Sequence, residues 1–241
     1  MIERNDVDIS KLFTWGKLFA LTDSEGNPIS QVYMRLVGDA DINKSRVYAL
    51  RRSAELRKKL KDSDSDERLA YIHDQDVFTK DSLITVISTL FIRELAQKSV
   101  REVKLPFPKE PKSDAELESF EKYQKEVDAY PDKQTKARQK YVETGLKALA
   151  NNLKDKDVAE LYDIYETKAI NSLCEAEMLR AFREKSTYFG TYSDEDFKQH
   201  FFKDFADFEN MEPGLKEQFI AAYESLEVGS EELKKLLQAT Q

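Results

Sequence analysis

Residues 12–61, LFTWGKLFALTDSEGNPISQVYMRLVGDADINKSRVYALRRSAELRKKLK, change hydrophobic period once, near residue 38. Before that point aromatic and β-branched residues dominate. Leu12 to Leu21 and Ile29 to Val37 flank Asp23-Ser24-Glu25-Gly26-Asn27-Pro28, which predicts a β-hairpin closed by a loop of about six residues. Two strands alone are marginal in water, so the hairpin has to pack on helices or pair with another chain. An edge left unpaired there would offer a route to self-association. After residue 38 the period becomes helical. Ile42, Ala49, Leu56 and Leu60 share one stripe over 39–61, with Val47, Leu50 and Ala54 read as widening it. Lys44, Arg51, Arg52, Lys58 and Lys59 are placed on the opposite side, as a solvated face, with an acidic partner or nucleic acid as alternatives.

Helical periodicity then runs through nearly all of the remaining chain. The acidic break Asp62-Ser63-Asp64-Ser65-Asp66-Glu67 precedes a short helix to about Gln75. Asp81 to Val103 forms another helix, carrying Leu83, Ile87, Leu90 and Leu95. Three of the six prolines fall in Leu105-Pro106-Phe107-Pro108-Lys109-Glu110-Pro111, and proline both removes a backbone donor and disfavours helix in the residue before it. That composition predicts a hairpin-plus-three-helix unit over 1–104, a linker over 105–112 and a second helical unit over 113–241.

In the second unit, Ser113 to Glu116 has capping-box spacing and opens a helix with Leu117, Phe120, Tyr123 and Val127. Pro131 is expected to interrupt it and to start the next helix, which runs to about Leu153. Asp157 to Glu160 repeats the capping spacing before a long helix that passes Phe182 and ends at Gly190. Ser193 is expected to cap an aromatic helix. Pro213 begins a helix with Leu215, Phe219, Ala222 and Leu226 inward, and Gly229-Ser230 is expected to separate a last short one. The fold class is therefore mainly α, with one N-terminal β-hairpin.

Composition narrows the function classes. The chain has 241 residues, 40% of them hydrophobic, enough to build a core. Charged residues make up 35% and glycines number seven, scattered singly, so there is neither a phosphate loop nor a dinucleotide fingerprint. The net charge of −8 argues against a general nucleic-acid coat. Cys174 is the single cysteine, so an intramolecular disulfide is excluded and a cytoplasmic location is expected. Glu3, Arg4, Asp6 and Asp8 break up the start of the chain, which predicts no secretory leader. Leu83 to Ile92 is far shorter than the roughly 20 apolar residues a membrane span needs.

No catalytic, cofactor-binding or metal-ligating set can be assigned. Asp62, Asp64 and Asp66 begin like a calcium loop, but Glu67 and His73 stand where its glycine and closing glutamate belong. Asp39, Asp41 and Asn43 fail in the same way. His73 and His200 have no partner at metal-binding spacing, and Cys174 reads as a small buried thiol. No cofactor is expected, and the chain reads as a non-enzyme.

Half of the fourteen phenylalanines lie between residues 182 and 208. Phe197, Phe201, Phe205 and Phe208 recur at helical spacing and would share one helix face, read either as core or as a partner-binding ridge. Between the two readings, Phe201 is expected to hold the core and Phe208 to be freer to meet a partner.

The segment from Asn171 to Lys235 resembles tail-assembly-chaperone-type proteins of long-tailed bacteriophages. The residues that carry the likeness are Tyr192-Ser193-Asp194-Glu195-Asp196-Phe197 through Phe201, Phe205 and Phe208, then Lys216, Tyr223-Glu224-Ser225-Leu226 and Leu233-Lys234-Lys235. The resemblance implies an α-rich, non-enzymatic helper that uses no cofactor. Such a helper keeps the tape-measure protein soluble in the host cytoplasm while tail subunits gather on it. The alternative is a virion structural or adaptor protein of a tailed phage. In either case the expected partner is a protein, not a membrane or a nucleic acid.

Overall fold

The computed structural model describes residues 16–23, 25–112 and 117–239, with side chains described to residue 226. Among these residues the chain is mainly helical, with seven α-helices and a small antiparallel sheet, as the periodicity predicts. In chain order the elements are β1 (Gly16–Thr22), β2 (Pro28–Arg35), α1 (Asp39–Lys61), α2 (Asp66–Tyr71), α3 (Lys80–Glu102), α4 (Leu117–Lys154), α5 (Val158–Gly190), β3 (Thr191–Tyr192), α6 (Phe205–Glu209) and α7 (Pro213–Ala239). A 3-10 turn, Gln75–Val77, lies between α2 and α3. No described helix is long and apolar enough to cross a membrane.

The chain divides into two compact units. One comprises Met1–Lys58 with Cys174–Gln241, the other Lys59–Leu173, so both borders fall inside helices. The division differs from the one expected at 105–112, which lies within the second unit. Prolines there end α3 without ending the unit, because the segment is fastened to α4. Tyr130 Oη donates to the Leu105 carbonyl at 2.8 Å, and the Phe107 and Tyr130 rings meet edge to face at 5.0 Å.

In the first unit, β1 and β2 pair in register from Gly16↔Arg35 to Leu21↔Ser30, with an irregularity between Leu21 and Thr22 where Pro28 enters the ladder. The expected strand residues 12–15 lie outside the described residues. Asp23 builds the turn by accepting bonds from Glu25 N at 2.9 Å, Asn27 N at 2.8 Å and Asn27 Nδ2 at 3.1 Å. Those donors hold its carboxyl below the usual carboxylate range. Gly26 turns the chain with φ of 86°, a conformation that glycine adopts without steric cost.

Alternation along the strands sends Leu21, Val32 and Met34 to one face of the sheet. There they meet Phe219, Ile220, Tyr223 and Leu226 of α7 and Phe202 and Phe208 from the segment before it. This is the core of the unit. Glu212 anchors the start of α7 by accepting from Gly214 N at 2.9 Å and Leu215 N at 2.8 Å. The helix then continues through Gly229 and Ser230, correcting the expected break. A single Gly costs a helix only about 1 kcal/mol relative to Ala, too little to end it alone.

In α1, Ser45, Ala49 and Leu60 are buried, but Val47, Leu50 and Ala54 are exposed and do not widen the inner stripe. At about 100° per residue they fall on the far side of the helix. Arg52 departs from the basic face in turn, since it points inward to carboxylates of α5 and α6.

Polar contacts cap helix starts in the second unit. Ser65 caps α2 by accepting from Arg68 N at 3.1 Å. Thr79 and Ser82 exchange bonds of 3.2 and 2.8 Å to cap α3. The expected Ser113–Glu116 box lies outside the described residues. Leu95 against Gly145, and Glu102 against Tyr141, set α3 and α4 side by side and antiparallel. Lys168 of α5 ion-pairs with Glu94 at 2.7 Å and covers the Phe91 ring at 3.8 Å. The expected break at Pro131 does not occur, and α4 runs from Leu117 to Lys154 through it. An interior proline costs about 3 kcal/mol. Packing along α3, with Tyr130 tied to Leu105, offsets that cost.

Candidate partner-binding face

The aromatic segment begins where α5 stops at Gly190. A Cβ there would lie 2.4 Å from Tyr223 Cε2 and 2.7 Å from the Arg35 carbonyl oxygen, so the residue admits both the end of β2 and the α7 side chain. Two residues later the chain has joined the sheet. Thr191 pairs with Met34 and Tyr192 with Tyr33, placing β3 on the free edge of β2. This third strand was not legible in the periodicity.

Residues 193–204 are not helical, which corrects the expected aromatic helix. The cause is Asp194. Its Oδ1 accepts from Lys198 N at 3.1 Å and Gln199 N at 2.9 Å, giving those amides an alternative to the helical ladder. The chain then folds back on β3: Ser193 N donates to the Gln199 carbonyl at 3.0 Å and Phe201 N to the Thr191 carbonyl at 3.1 Å. Phe197 makes the reversal at φ 54°, a left-handed conformation uncommon for a bulky residue. Its ring compensates by packing over Gly16, where a Cβ would come within 1.7 Å of Phe197 Cζ, and edge-on to Tyr192 at 5.5 Å. Arg35 sits against both rings, 4.8 Å from Tyr192 and 5.4 Å from Phe197.

Asp204 starts the real helix, accepting from Asp207 N at 3.1 Å in a capping box; Ser193, the expected cap, is on the loop. The four phenylalanines therefore do not share one face. Phe208 is wholly buried against Phe202 at 5.2 Å and Phe219 at 6.1 Å, correcting its expected freedom. Phe202, outside the predicted set, is buried with it. Phe201 is half-buried beside Phe219 at 5.8 Å. Phe197 and Phe205 are half-buried at the margin.

Phe205 belongs to an aromatic box around the Lys185 ammonium. Lys185 Nζ stands 3.7 Å from the Phe205 ring centroid, 4.8 Å from Tyr188, 5.2 Å from Phe189 and 5.3 Å from Tyr48. Burial lowers its pKa while the Glu209 charge opposes the shift. Glu209 accepts from Tyr48 Oη at 3.0 Å and Arg52 Nη1 at 3.2 Å, and Arg52 Nε reaches Glu177 at 3.2 Å. Burial, and then the bond to Glu209, push the Tyr48 hydroxyl up to about 12. These contacts hold α6 against α1 and α5, and its rings cannot reorient freely.

The other candidates take structural places. His200 stacks on Tyr192 at 4.7 Å, and His73 lies edge-on to Phe78 at 6.1 Å. Cys174 is 1% exposed, its thiol pushed up by burial and its carbonyl bonded to Ser53 Oγ at 2.9 Å. Asp62 accepts from Asp64 N, and Asp41 pairs with Lys44. No three His, Cys, Asp or Glu side chains come together as a metal site among the described residues. Compared with known proteins, the chain matches no family model, no curated protein and no solved structure.

Proposed function

We propose that this chain is a non-enzymatic assembly protein of a long-tailed phage, a chaperone-like binder of the tape-measure protein that works in the host cytoplasm. Two features support the reading. The first is the resemblance carried by Tyr192 to Phe208 and Tyr223 to Leu226. The second, which carries the binding part of the reading, is that Phe197, Phe201 and Phe205 are half-buried and held in place, Phe201 and Phe205 against the core and Phe197 against Gly16 and Tyr192. Aromatic rings already fixed by packing lose little conformational freedom when a partner covers them, and such rings are favoured as interface anchors.

The test is co-expression with the tape-measure protein of the phage that encodes the chain. The chain raises the soluble fraction of that protein and leaves the finished particle. No change in solubility overturns the proposal. Recovery of the chain from purified particles assigns it instead to the virion, as a structural or adaptor protein.

A further inference from the structure

The outer side of α1 is opposite the side that holds Ser45, Ala49, Arg52 and Leu60. Val47 is 49% exposed and Leu50 53% exposed there, with Ala54 exposed beside them. At 100° per residue these three lie within about 60° of one another, an apolar strip roughly 10 Å long. Arg51 and Lys58 flank it on one side and Arg46 on the other, all exposed.

The two sets of cations on this helix behave differently. Arg52 and Lys59 are engaged with Glu177, Glu209 and Glu67. Arg51 and Lys58 take part in no ion pair among the described residues, and Arg46 reaches only as far as Asn43 Oδ1, at 3.5 Å. Glu55 is the acidic residue at the margin. In a chain of net charge −8, this is a locally basic surface with an apolar centre.

We infer that the outward face of α1 docks an acidic amphipathic helix from a partner protein. Apolar side chains of that helix cover Val47, Leu50 and Ala54, and its flanking carboxylates meet Arg46, Arg51 and Lys58. A polyanion such as DNA would leave the apolar strip unused, finds no ring to stack on, and is repelled by the overall charge. An anionic membrane needs a larger apolar face than one leucine, one valine and one alanine. This surface is separate from the aromatic rim and does not depend on the tail-assembly reading.

Fluorescence anisotropy on the full chain tests this. The probe is a short labelled helical peptide with leucines at i, i+3 and i+7 and glutamates on both flanks. A second peptide carries lysine in place of each glutamate. The acidic peptide binds, more weakly as salt rises. Leu50→Asp, and separately Arg51→Glu with Lys58→Glu, weaken it at least tenfold, with unchanged circular dichroism because these positions are exposed. The double reversal shifts preference toward the lysine peptide. The inference is overturned by absence of binding, by equal binding of both peptides, or by variants that bind as well as the parent. It is also overturned if phosphatidylserine vesicles or single-stranded DNA bind more tightly through the same residues.

Discussion

Gln218 of α7 extends the sheet by one side chain: its Oε1 accepts from Thr22 N at 3.0 Å and its Nε2 donates to the Thr22 carbonyl at 2.8 Å. The amide thus occupies the place of a neighbouring strand at the last residue of β1, where the ladder is irregular. Gln218→Ala leaves both backbone groups without this partner and lowers stability by about 1–3 kcal/mol. A denaturant midpoint shift at unchanged slope measures it; no shift means that water replaces the amide without loss.

Phe208 and Phe202 separate from Phe201 in a truncation series. Phe208→Ala and Phe202→Ala each empty a buried ring site and cost about 3–5 kcal/mol. Phe201→Ala costs less, since part of that ring already faces water. Thermal melts of the three variants check the order. Equal losses at Phe201 and Phe208 would contradict the burial difference.

Gly190 marks the junction between α5, β2 and α7. In Gly190→Ala the new methyl meets the Arg35 carbonyl and the Tyr223 ring inside contact distance, and backbone cannot move as a flexible side chain can. Overpacking of this kind costs about 1–3 kcal/mol. Gly38→Ala is the control, as its Cβ would meet nothing within 4 Å. A melting temperature unchanged by Gly190→Ala would show that the junction yields.

Tyr48 gives a signature at alkaline pH. Its folded pKa of about 12 lies above the ordinary value of 10.0, so the folded state holds the proton more tightly than the unfolded state. That contribution to stability is complete below pH 10 and is lost as pH rises towards about 12. In near-ultraviolet titration Tyr48 ionises late, and Tyr48→Phe removes that late step. An unchanged titration after the substitution would refute the assignment.

The hairpin, the helix α1 and the long run of α5 to Gly190 were legible because each rests on local signals: alternation, the 3.6-residue period, or a glycine at a helix end. Asp157 and Glu160 show the same for caps: Glu160 N donates to Asp157 Oδ1 at 2.8 Å and Asp157 N to Glu160 Oε2 at 3.2 Å. Local signals misled where two local preferences competed. The phenylalanines of 197–208 have helical spacing, yet the Asp194 side chain offers Lys198 and Gln199 an acceptor that competes with the helical one. At Pro131 the local penalty is real, and packing against α3 exceeds it.

By itself, the sequence determined that this protein is mainly helical with one hairpin, since backbone preferences over a few residues are encoded in those residues. Only the tertiary structure decided the placement of Phe208 in the core and Phe205 at its rim, and the addition of β3 to β2. Each of these depends on partners on other elements: Phe208 with Phe219 of α7, Phe205 with Tyr48 of α1, and Thr191 with Met34 of β2. Burial is a property of what lies opposite a side chain, and periodicity carries no record of that.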